Sequence, residues 1–509
     1  MRPWDQMAPE QQEARQLKKL RRFLSEQILP FHPYYGELFR EHGIDVNSLQ
    51  KYSDLAQIPL SSKGNVAPDA EDPDRPKQFV LQPTPETLKA ALPLGRKLSL
   101  LGTKLRYGAD EVRRRLGLEY RPVQAYFTTG RTALPTSFFL SKYDLGLLEE
   151  VGIRIATLND VDPSVDRLVS LFPYAPHLAF WQVQAVGVAS GTFMLQTGGG
   201  KAMGSDGILR AIGKVRPSFI CGIPGYTYHL IRKGVEEGRD FSFVKTLFLG
   251  GDRVTPDYRV KLCELLRQGG ATNPRVVSIL GFTEAKKCWT ECVGGEKYGF
   301  HTYPDLDLFE MIDPDTGLPV PDGETGEMVY TPLDGRGSLI LRYRTGDIVA
   351  GGIVRERCPG CGRTVPRFSS DLSRRSNLTD FSLTKIKGTL VNLNVMSDLL
   401  TGDPRIDEWQ LVIRKRDDDP LDVDELILYL ALLDTEAEAE VTVKTVREIE
   451  RSLADASEVC PTRTEVLPRE ELLEMIGMET LLKEKRIVDL RKKARAKASS
   501  PGNESVAGS

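Results

Sequence analysis

The sequence predicts an α/β protein: a large N-terminal domain built on parallel and mixed sheets, followed by a small α+β domain at the C-terminal end. Three observations carry this. Residues 244–249 and 276–280 are short apolar runs that stop at Gly250-Gly251-Asp252 and at Gly281, and residues 256–268 between them have helical spacing. Strand, helix, strand with glycines at the strand ends is the signature of a parallel sheet. After about residue 370 the pattern changes to strands expected at 408–413, 425–433 and 464–467 around an amphipathic helix at 443–454. The 509 residues, at ~150 residues per domain, suggest two to four domains.

The expected organisation follows. Residues 1–120 are a helical and then proline-rich, irregular part of the large domain, and 121–373 are its core. Residues 374–491 form the small domain, large enough to fold alone. Residues 492–509 are Lys/Arg-rich and then Ser/Gly/Pro-rich, the composition of a disordered tail.

Composition excludes several classes. Lys plus Arg is 68 against 71 for Asp plus Glu, a net charge of −3, which argues against a protein held by nucleic-acid phosphates. Met1-Arg2-Pro3-Trp4-Asp5 leads into a charged stretch with no apolar segment of the signal-peptide kind. Seven cysteines, an odd number, do not make a disulfide framework, so a reduced, cytoplasmic protein is expected. The uncharged stretch between Arg167 and Lys201 contains Pro173, Pro176, His177, Gln182 and Gln184. It is expected to be buried core around a site, since a membrane span needs ~20 predominantly apolar residues.

Ligands in parallel α/β folds sit at the carboxyl ends of the strands, and four segments there or near the chain end carry chemistry. Thr128-Thr129-Gly130-Arg131-Thr132-Ala133-Leu134-Pro135-Thr136 is a hydroxyl-rich turn between apolar runs. It offers backbone N–H groups, hydroxyls and the Arg131 fork to phosphate, or is an ordinary hairpin. Gly281-Phe282-Thr283-Glu284 places a carboxylate at a strand end, where it holds Mg²⁺ or belongs to a helix start capped by Thr283. Tyr343-Arg344-Thr345-Gly346-Asp347 puts an acid after a tight turn, suited to ribose hydroxyls or to the turn itself. Lys483-Glu484-Lys485-Arg486 is a basic run that on its own reads as a solvated face.

In this order the four segments resemble the adenylate-forming (AMP-binding) acyl/aryl-CoA synthetases, and most of all the phenylacetate–CoA ligase-like branch. Residues 128–136 match the frame of the family's phosphate loop, Gly281 to Glu284 its Tyr-Gly-x-Thr-Glu box, and Tyr343 to Asp347 its Tyr-Arg-Thr-Gly-Asp box in full. Lys483 aligns with the catalytic lysine. Phe31-His32-Pro33-Tyr34-Tyr35 and Ile58-Pro59-Leu60-Ser61-Ser62-Lys63 also look like that branch. Smaller matches are Gly250-Gly251-Asp252 with the adenine loop, Arg375 with the hinge of a mobile C-terminal domain, and the segment around His177 with the acyl pocket. The departures are Arg131 and Ala133 in the phosphate loop, and Arg375-Ser376-Asn377-Leu378 in place of Arg-x-Asp-Asp at the hinge.

The resemblance implies an ATP-dependent carboxylic acid–CoA ligase that uses Mg²⁺ and forms an acyl-adenylate before thioesterification with CoA. Lys483 would bridge the α-phosphate and the carboxylate, with Glu284 on Mg²⁺ and Thr283 beside it. Thr128, Thr129, Gly130, Arg131 and Thr132 would cradle phosphates, while Gly250, Gly251, Asp252, Gly281, Phe282, Asp347 and Arg375 would complete the nucleotide site. His177 and Trp181, with Phe282 and Ala285, would wall an aryl or medium acyl pocket. Its partners are small molecules, with no nucleic acid and no membrane span, and it leaves room for a homodimer. Rival readings pass the acyl group to a carrier protein or an amine, or keep nucleotide binding without ligase turnover.

Cys358-Pro359-Gly360-Cys361 is a knuckle of the kind that holds half a zinc site, and Cys292 and His301 are the best candidates for the other half, with Cys288 spare. The expected role is a structural Zn²⁺ that staples a loop. The alternative is four reduced cysteines and a surface histidine.

Overall fold

In the computed structural model the described residues are 3–128, 135–374, 383–386, 389–418, 423–434, 439–457, 459–481 and 484–491. Among them, a nine-stranded sheet forms the centre of the large domain. Five of its strands are parallel, in the order Phe193–Gly198, Arg167–Pro173, Phe219–Gly222, Thr246–Gly250 and Arg275–Phe282. Helices Leu178–Ser190, Gly200–Val215, Pro224–Glu236 and Pro256–Gln268 connect them. The chain runs outward from Arg167–Pro173 to Phe193–Gly198 and then returns to the other side. That reversal is a topological switch point, where such sheets open a crevice at their carboxyl ends. The uncharged stretch after Arg167 supplies two of these strands and the helix Leu178–Ser190 between them. No helix among the described residues is long and apolar enough to cross a membrane.

Beyond Phe282 the sheet continues antiparallel through Lys287–Thr290, Phe300–His301, Arg367–Phe368 and Ile353–Val354. A separate four-stranded antiparallel sheet orders Asp307–Ile312, Gly326–Pro332, Tyr343–Val349 and Leu372–Arg374. The N-terminal segment packs around residues leading into Tyr343–Val349. The Tyr35 hydroxyl accepts from Leu341 N at 2.7 Å, Ser61 N donates to Arg342 O at 2.9 Å, and Arg344 N donates to Ser61 O at 2.8 Å. His32 lies 3.0 Å from Leu339 O through Nε2, and burial pushes its pKa down to about 4. The two N-terminal segments that resemble the ligase branch are thus buttresses for the 339–344 run.

The C-terminal domain has strands in the order Arg463–Val466, Asp424–Leu432, Ile406–Lys415 and Ile487–Asp489, with helices Leu393–Gly402, Ala439–Ser457 and Arg469–Ile476. The central pair is antiparallel and the outer strands run parallel to their neighbours. The tail at 492–509 lies outside the described residues.

A buried ion pair sits under the end of strand Arg275–Phe282. Both Arg259 terminal nitrogens reach Glu291, at 3.0 and 2.9 Å, and Ser278 N donates to Glu291 Oε2 at 2.7 Å. Glu291 is fully buried, and burial raises its pKa against the opposing pull of Arg259. Removing one partner of such a pair leaves an uncompensated charge. Arg259→Met is therefore expected to lower stability by about 3–5 kcal/mol in urea unfolding, and Arg259→Met with Glu291→Met by clearly less.

Candidate active site

Two cavities meet at the carboxyl ends of the parallel strands. The larger, about 550 Å³, lies between the large domain and the C-terminal domain. Gly251, Asp252, Ser278 and Asp347 line it from the large domain, and Glu408, Glu484 and Arg486 from the other side. The smaller, about 90 Å³, is an apolar chamber between the sheet and helix Leu178–Ser190. Gly251, Ile279 and Gly281 belong to the walls of both.

Glycine is required at this junction. A Cβ on Gly250 would stand 2.9 Å from Ile279 O, and one on Gly281 would collide with Cys288 Sγ. Gly251 has φ +88°, in the left-handed region that glycine enters without strain. Asp252 follows at the cavity rim and accepts from Arg253 N at 2.9 Å.

The Tyr343–Asp347 segment departs from the expected strand-then-turn. The run 339–341 is irregular, and the box itself is the strand. Residues 344–348 oppose only 327–329, so the strand bulges, with Gly346 at φ +75°. Thr345 Oγ1 donates to Met328 O at 3.0 Å and accepts from Asp347 N at 3.1 Å. The bulge re-aims Asp347, 5% exposed, onto the wall of the larger cavity.

Phe282 to Glu284 also corrects the reading of a helix start. Phe282 ends its strand, and residues 283–286 form a tight turn into the antiparallel strand Lys287–Thr290. Thr283 therefore caps no helix. Glu284 Oε1 accepts from the Tyr343 hydroxyl at 2.8 Å, which links the two boxes directly. Phe282 and Ala285 are core residues. Phe282 packs on Trp289 and Tyr330, with ring centroids 5.2 and 5.3 Å away, and lines neither cavity.

His177 precedes helix Leu178–Ser190, and its Nδ1 lies 2.9 Å from Phe127 O, at the base of the Thr-rich loop. Trp181 packs edge-on against Phe180 and Tyr174. Neither lines the apolar chamber, whose helix-side wall is Leu178, Gln182, Val183 and Val186. Thr128 is described, and its N–H donates to Thr136 O at 3.1 Å between the paired strands Pro122–Phe127 and Ser137–Ser141. Thr129, Gly130, Arg131, Thr132, Arg375 and Lys483 lie outside the described residues.

Glu484 meets the large domain across the larger cavity. A Cβ on Gly225, in the first turn of helix Pro224–Glu236, would overlap Glu484 Oε1. Gly225 was not singled out from the sequence, although the apolar run 219–221 ending in Gly222 and Pro224-Gly225 repeats the glycine-terminated pattern at 249 and 280. Ion pairs hold the C-terminal domain here. Arg253 reaches Asp398 at 2.5 Å, Arg469 reaches Glu236 at 2.6 Å, and Arg232 pairs with Asp407.

Cys292, His301, Cys358 and Cys361 come together with all ligand atoms within 4.8 Å of one another. Cys292 Sγ and Cys358 Sγ are 3.9 Å apart, and His301 Nε2 is 3.2 Å from Cys361 Sγ. Thiolates ~2.3 Å from a tetrahedral zinc stand about 3.8 Å apart, so the donor set fits that ion. His301 is fully buried, which removes the surface-histidine alternative. Its Nδ1 faces Gly299 O at 3.2 Å, leaving Nε2 toward the thiols. Cys288 lies in the apolar chamber wall instead.

A family model described as AMP-binding enzyme matches residues 126–332. Over those residues the chain is similar to the AMP-binding enzymes. It is 25% identical over 405 residues to a phenylacetate-coenzyme A ligase of Thermus thermophilus, covering 78% of this chain and 77% of that one. Among solved structures, 2-hydroxyisobutyryl-CoA ligase in the postadenylation state matches with a TM-score of 0.72 at 18% identity, over 97% of this chain and 93% of that one. The same ligase in the thioesterification state, with 2-HIB-AMP and CoA, matches with a TM-score of 0.59 at 19% identity, over 97% and 94%. The shared fold thus carries the larger cavity between its domains and the smaller one inside the large domain.

Lys261 reports on that interface. Its Nζ donates to Ile406 O of the C-terminal domain at 2.7 Å and stands 5.1 Å from the Tyr228 ring. Burial pushes its pKa down to about 8, with Glu408 and Asp403 opposing and Arg486 and Arg232 assisting. The docked arrangement therefore binds fewer protons, and docking strengthens as pH rises from about 8 toward the ordinary lysine value. Small-angle scattering is expected to show the wild type compacting across that window, and Lys261→Met losing that pH dependence.

Proposed function

We propose that the protein is an ATP-dependent carboxylic acid–CoA ligase acting through an acyl-adenylate. The observation that carries this reading is the meeting of a polar cavity and an apolar chamber at glycine-lined strand ends. A nucleotide in one and an acid in the other would bring α-phosphate and carboxylate together at Gly251 and Gly281. Holding reactants so removes much of the entropic barrier to their reaction.

In the first half-reaction a carboxylate oxygen attacks the α-phosphorus, and the bond from that phosphorus to the α,β-bridging oxygen breaks to release pyrophosphate. Asp347 would accept from the ribose hydroxyls and so fix the nucleotide's reach. Lys483, whose neighbour Glu484 lines the cavity, would donate to the α-phosphate and carboxylate oxygens as charge builds on them. Glu284, with one oxygen engaged by Tyr343, retains acceptor capacity that fits a hard cation. Mg²⁺ bound there would supply charge neutralisation on the phosphates. In the second half-reaction the CoA thiolate attacks the acyl carbon and AMP leaves. The higher likeness to a postadenylation state than to a thioesterification state supports assigning this arrangement to the stage after adenylation and before thioesterification. The domain would then rotate near Arg375 to admit the thiol, gating two steps in one site.

The Cys292, His301, Cys358 and Cys361 cluster would hold a structural zinc. Four protein donors leave no open position for chemistry. The knuckle also holds the N-terminal helix in place, since Thr364 N donates to Asp5 O at 2.8 Å and Gln12 Nε2 donates to Thr364 O at 3.1 Å.

The deciding assay is pyrophosphate release with MgATP, across aryl and aliphatic acids, with and without CoA. Acid-dependent release that is abolished in Lys483→Ala, with sustained turnover only when CoA is present, is expected; no release with any acid despite ATP binding would refute the reading. Gly225→Val, which pushes against Glu484, is expected to cut adenylation by about 10²-fold while leaving the unfolding midpoint near that of wild type. Metal analysis of the purified protein is expected to return one zinc per chain, and Cys358→Ser to lose it together with several degrees of thermal stability.

A further inference from the structure

The apolar chamber is small and uncharged. Its roughly 90 Å³ compares with the engineered cavity of about 150 Å³ that takes up benzene, and with about 30 Å³ for a water molecule's share of the liquid. Phe172, Leu178, Val183, Phe248 and Cys288 shape it, and among the described residues no ionisable carboxylate, amine or guanidinium lines it. Burial pushes the Cys288 thiol up to about 12, so it too stays neutral.

One side chain does not belong to an apolar wall. Gln182, on helix Leu178–Ser190, is 2% exposed. Its Nε2 donates to Leu148 O at 3.3 Å, which settles the orientation of the amide. Its Oε1 is buried, and among the described residues no donor reaches it. A buried carbonyl oxygen left without a donor loses its hydration and gains nothing in return. Leucine has nearly the same size and would close the wall without that cost. A donor brought in by a ligand removes the penalty.

We propose that Gln182 is the specificity-determining residue of the acid site, accepting a hydrogen bond from a hydroxyl group on the substrate's body. The inference rests on the ligase reading above and names its substrate class. The acid is short, with a body of only a few non-hydrogen atoms, uncharged apart from its carboxylate, and hydroxylated. The carboxylate lies at the shared mouth by Gly251 and Gly281, where the nucleotide cavity begins, and the hydroxyl lies at Gln182. A site built around a hydrogen bond discriminates against an analogue that lacks the group, because its own polar atom is then left unpaired.

The test compares butyrate, its positional hydroxy derivatives and phenylacetate in the pyrophosphate assay with the full chain. At least one hydroxy acid is expected to exceed butyrate by about tenfold or more in kcat/KM, and phenylacetate to be poorer than both. Gln182→Leu and Gln182→Met are expected to remove that preference by weakening the hydroxy acid and improving butyrate. ATP affinity and thermal stability should be unchanged or slightly higher. Equal use of butyrate and every hydroxy derivative, or a preference that survives both variants, overturns the role of Gln182. Phenylacetate as the best substrate overturns the size. If no acid supports turnover, the ligase reading falls, and ligand-detected NMR with the same acids decides the binding claim alone. A hydroxy acid that binds wild type and not Gln182→Leu upholds it, and binding that is absent or indifferent to the substitution overturns it.

Discussion

Where the parallel strands Thr246–Gly250 and Arg275–Phe282 end, the backbones come too close for side chains. Ile279 O crowds Gly250 and Cys288 Sγ crowds Gly281, so both positions are confined to hydrogen. Here Gly251, Ile279 and Gly281 form the wall that the polar interdomain cavity and the apolar chamber share. The buried Arg259–Glu291 pair, tied to Ser278 N, holds the end of the second strand in register from below.

The two sides of the site are held by different forces. On the large-domain side, the N-terminal segment clamps the 339–344 run through backbone bonds and the buried Tyr35 hydroxyl, while the Cys/His cluster joins strand ends to the 358–361 knuckle. These contacts are buried and directional. On the C-terminal side, half-exposed ion pairs such as Arg253–Asp398 and Arg469–Glu236 join a small apolar contact of Leu472, Ile476 and Met478. Exposed pairs contribute little each and are screened by salt, whereas the Arg232–Asp407 pair is largely buried. Contacts of the exposed kind suit the domain rotation proposed above.

The link between Glu284 and Tyr343 has a consequence for the metal side of the site. The turn carrying Glu284 and the bulged strand carrying Asp347 come from different sheets, and the Tyr343 hydroxyl joins them. A cation on Glu284 and a ribose on Asp347 would therefore be positioned relative to one another by a single hydrogen bond. Glu284 sits in the tight turn directly after strand Arg275–Phe282, and Asp347 within strand Tyr343–Val349.

Local pattern alone determined much of this protein. Apolar runs ending in glycine located strands Thr246–Gly250 and Arg275–Phe282 within a residue or two, and helical spacing located Pro256–Gln268, because period and chain-breaking residues are local properties. The knuckle spacing of Cys358 and Cys361 pointed to Cys292 and His301, and the fold gathers all four. What the tertiary structure decided are the matters of which face points where. Phe282, Ala285 and Trp181 read as pocket wall, but Phe282 packs on Trp289 and Tyr330, Trp181 on Tyr174, and Ala285 lies in the core, all away from the chamber. The bulge at Gly346 and the turn after Phe282 depend on pairing partners distant in sequence, so no local signal showed them. Gln182 and Gly225 gained their meaning only from neighbours more than thirty and two hundred residues away, Leu148 and Glu484. Burial and long-range contact are properties of the assembled chain, and they turned an ordinary glutamine into a lone acceptor inside an apolar wall.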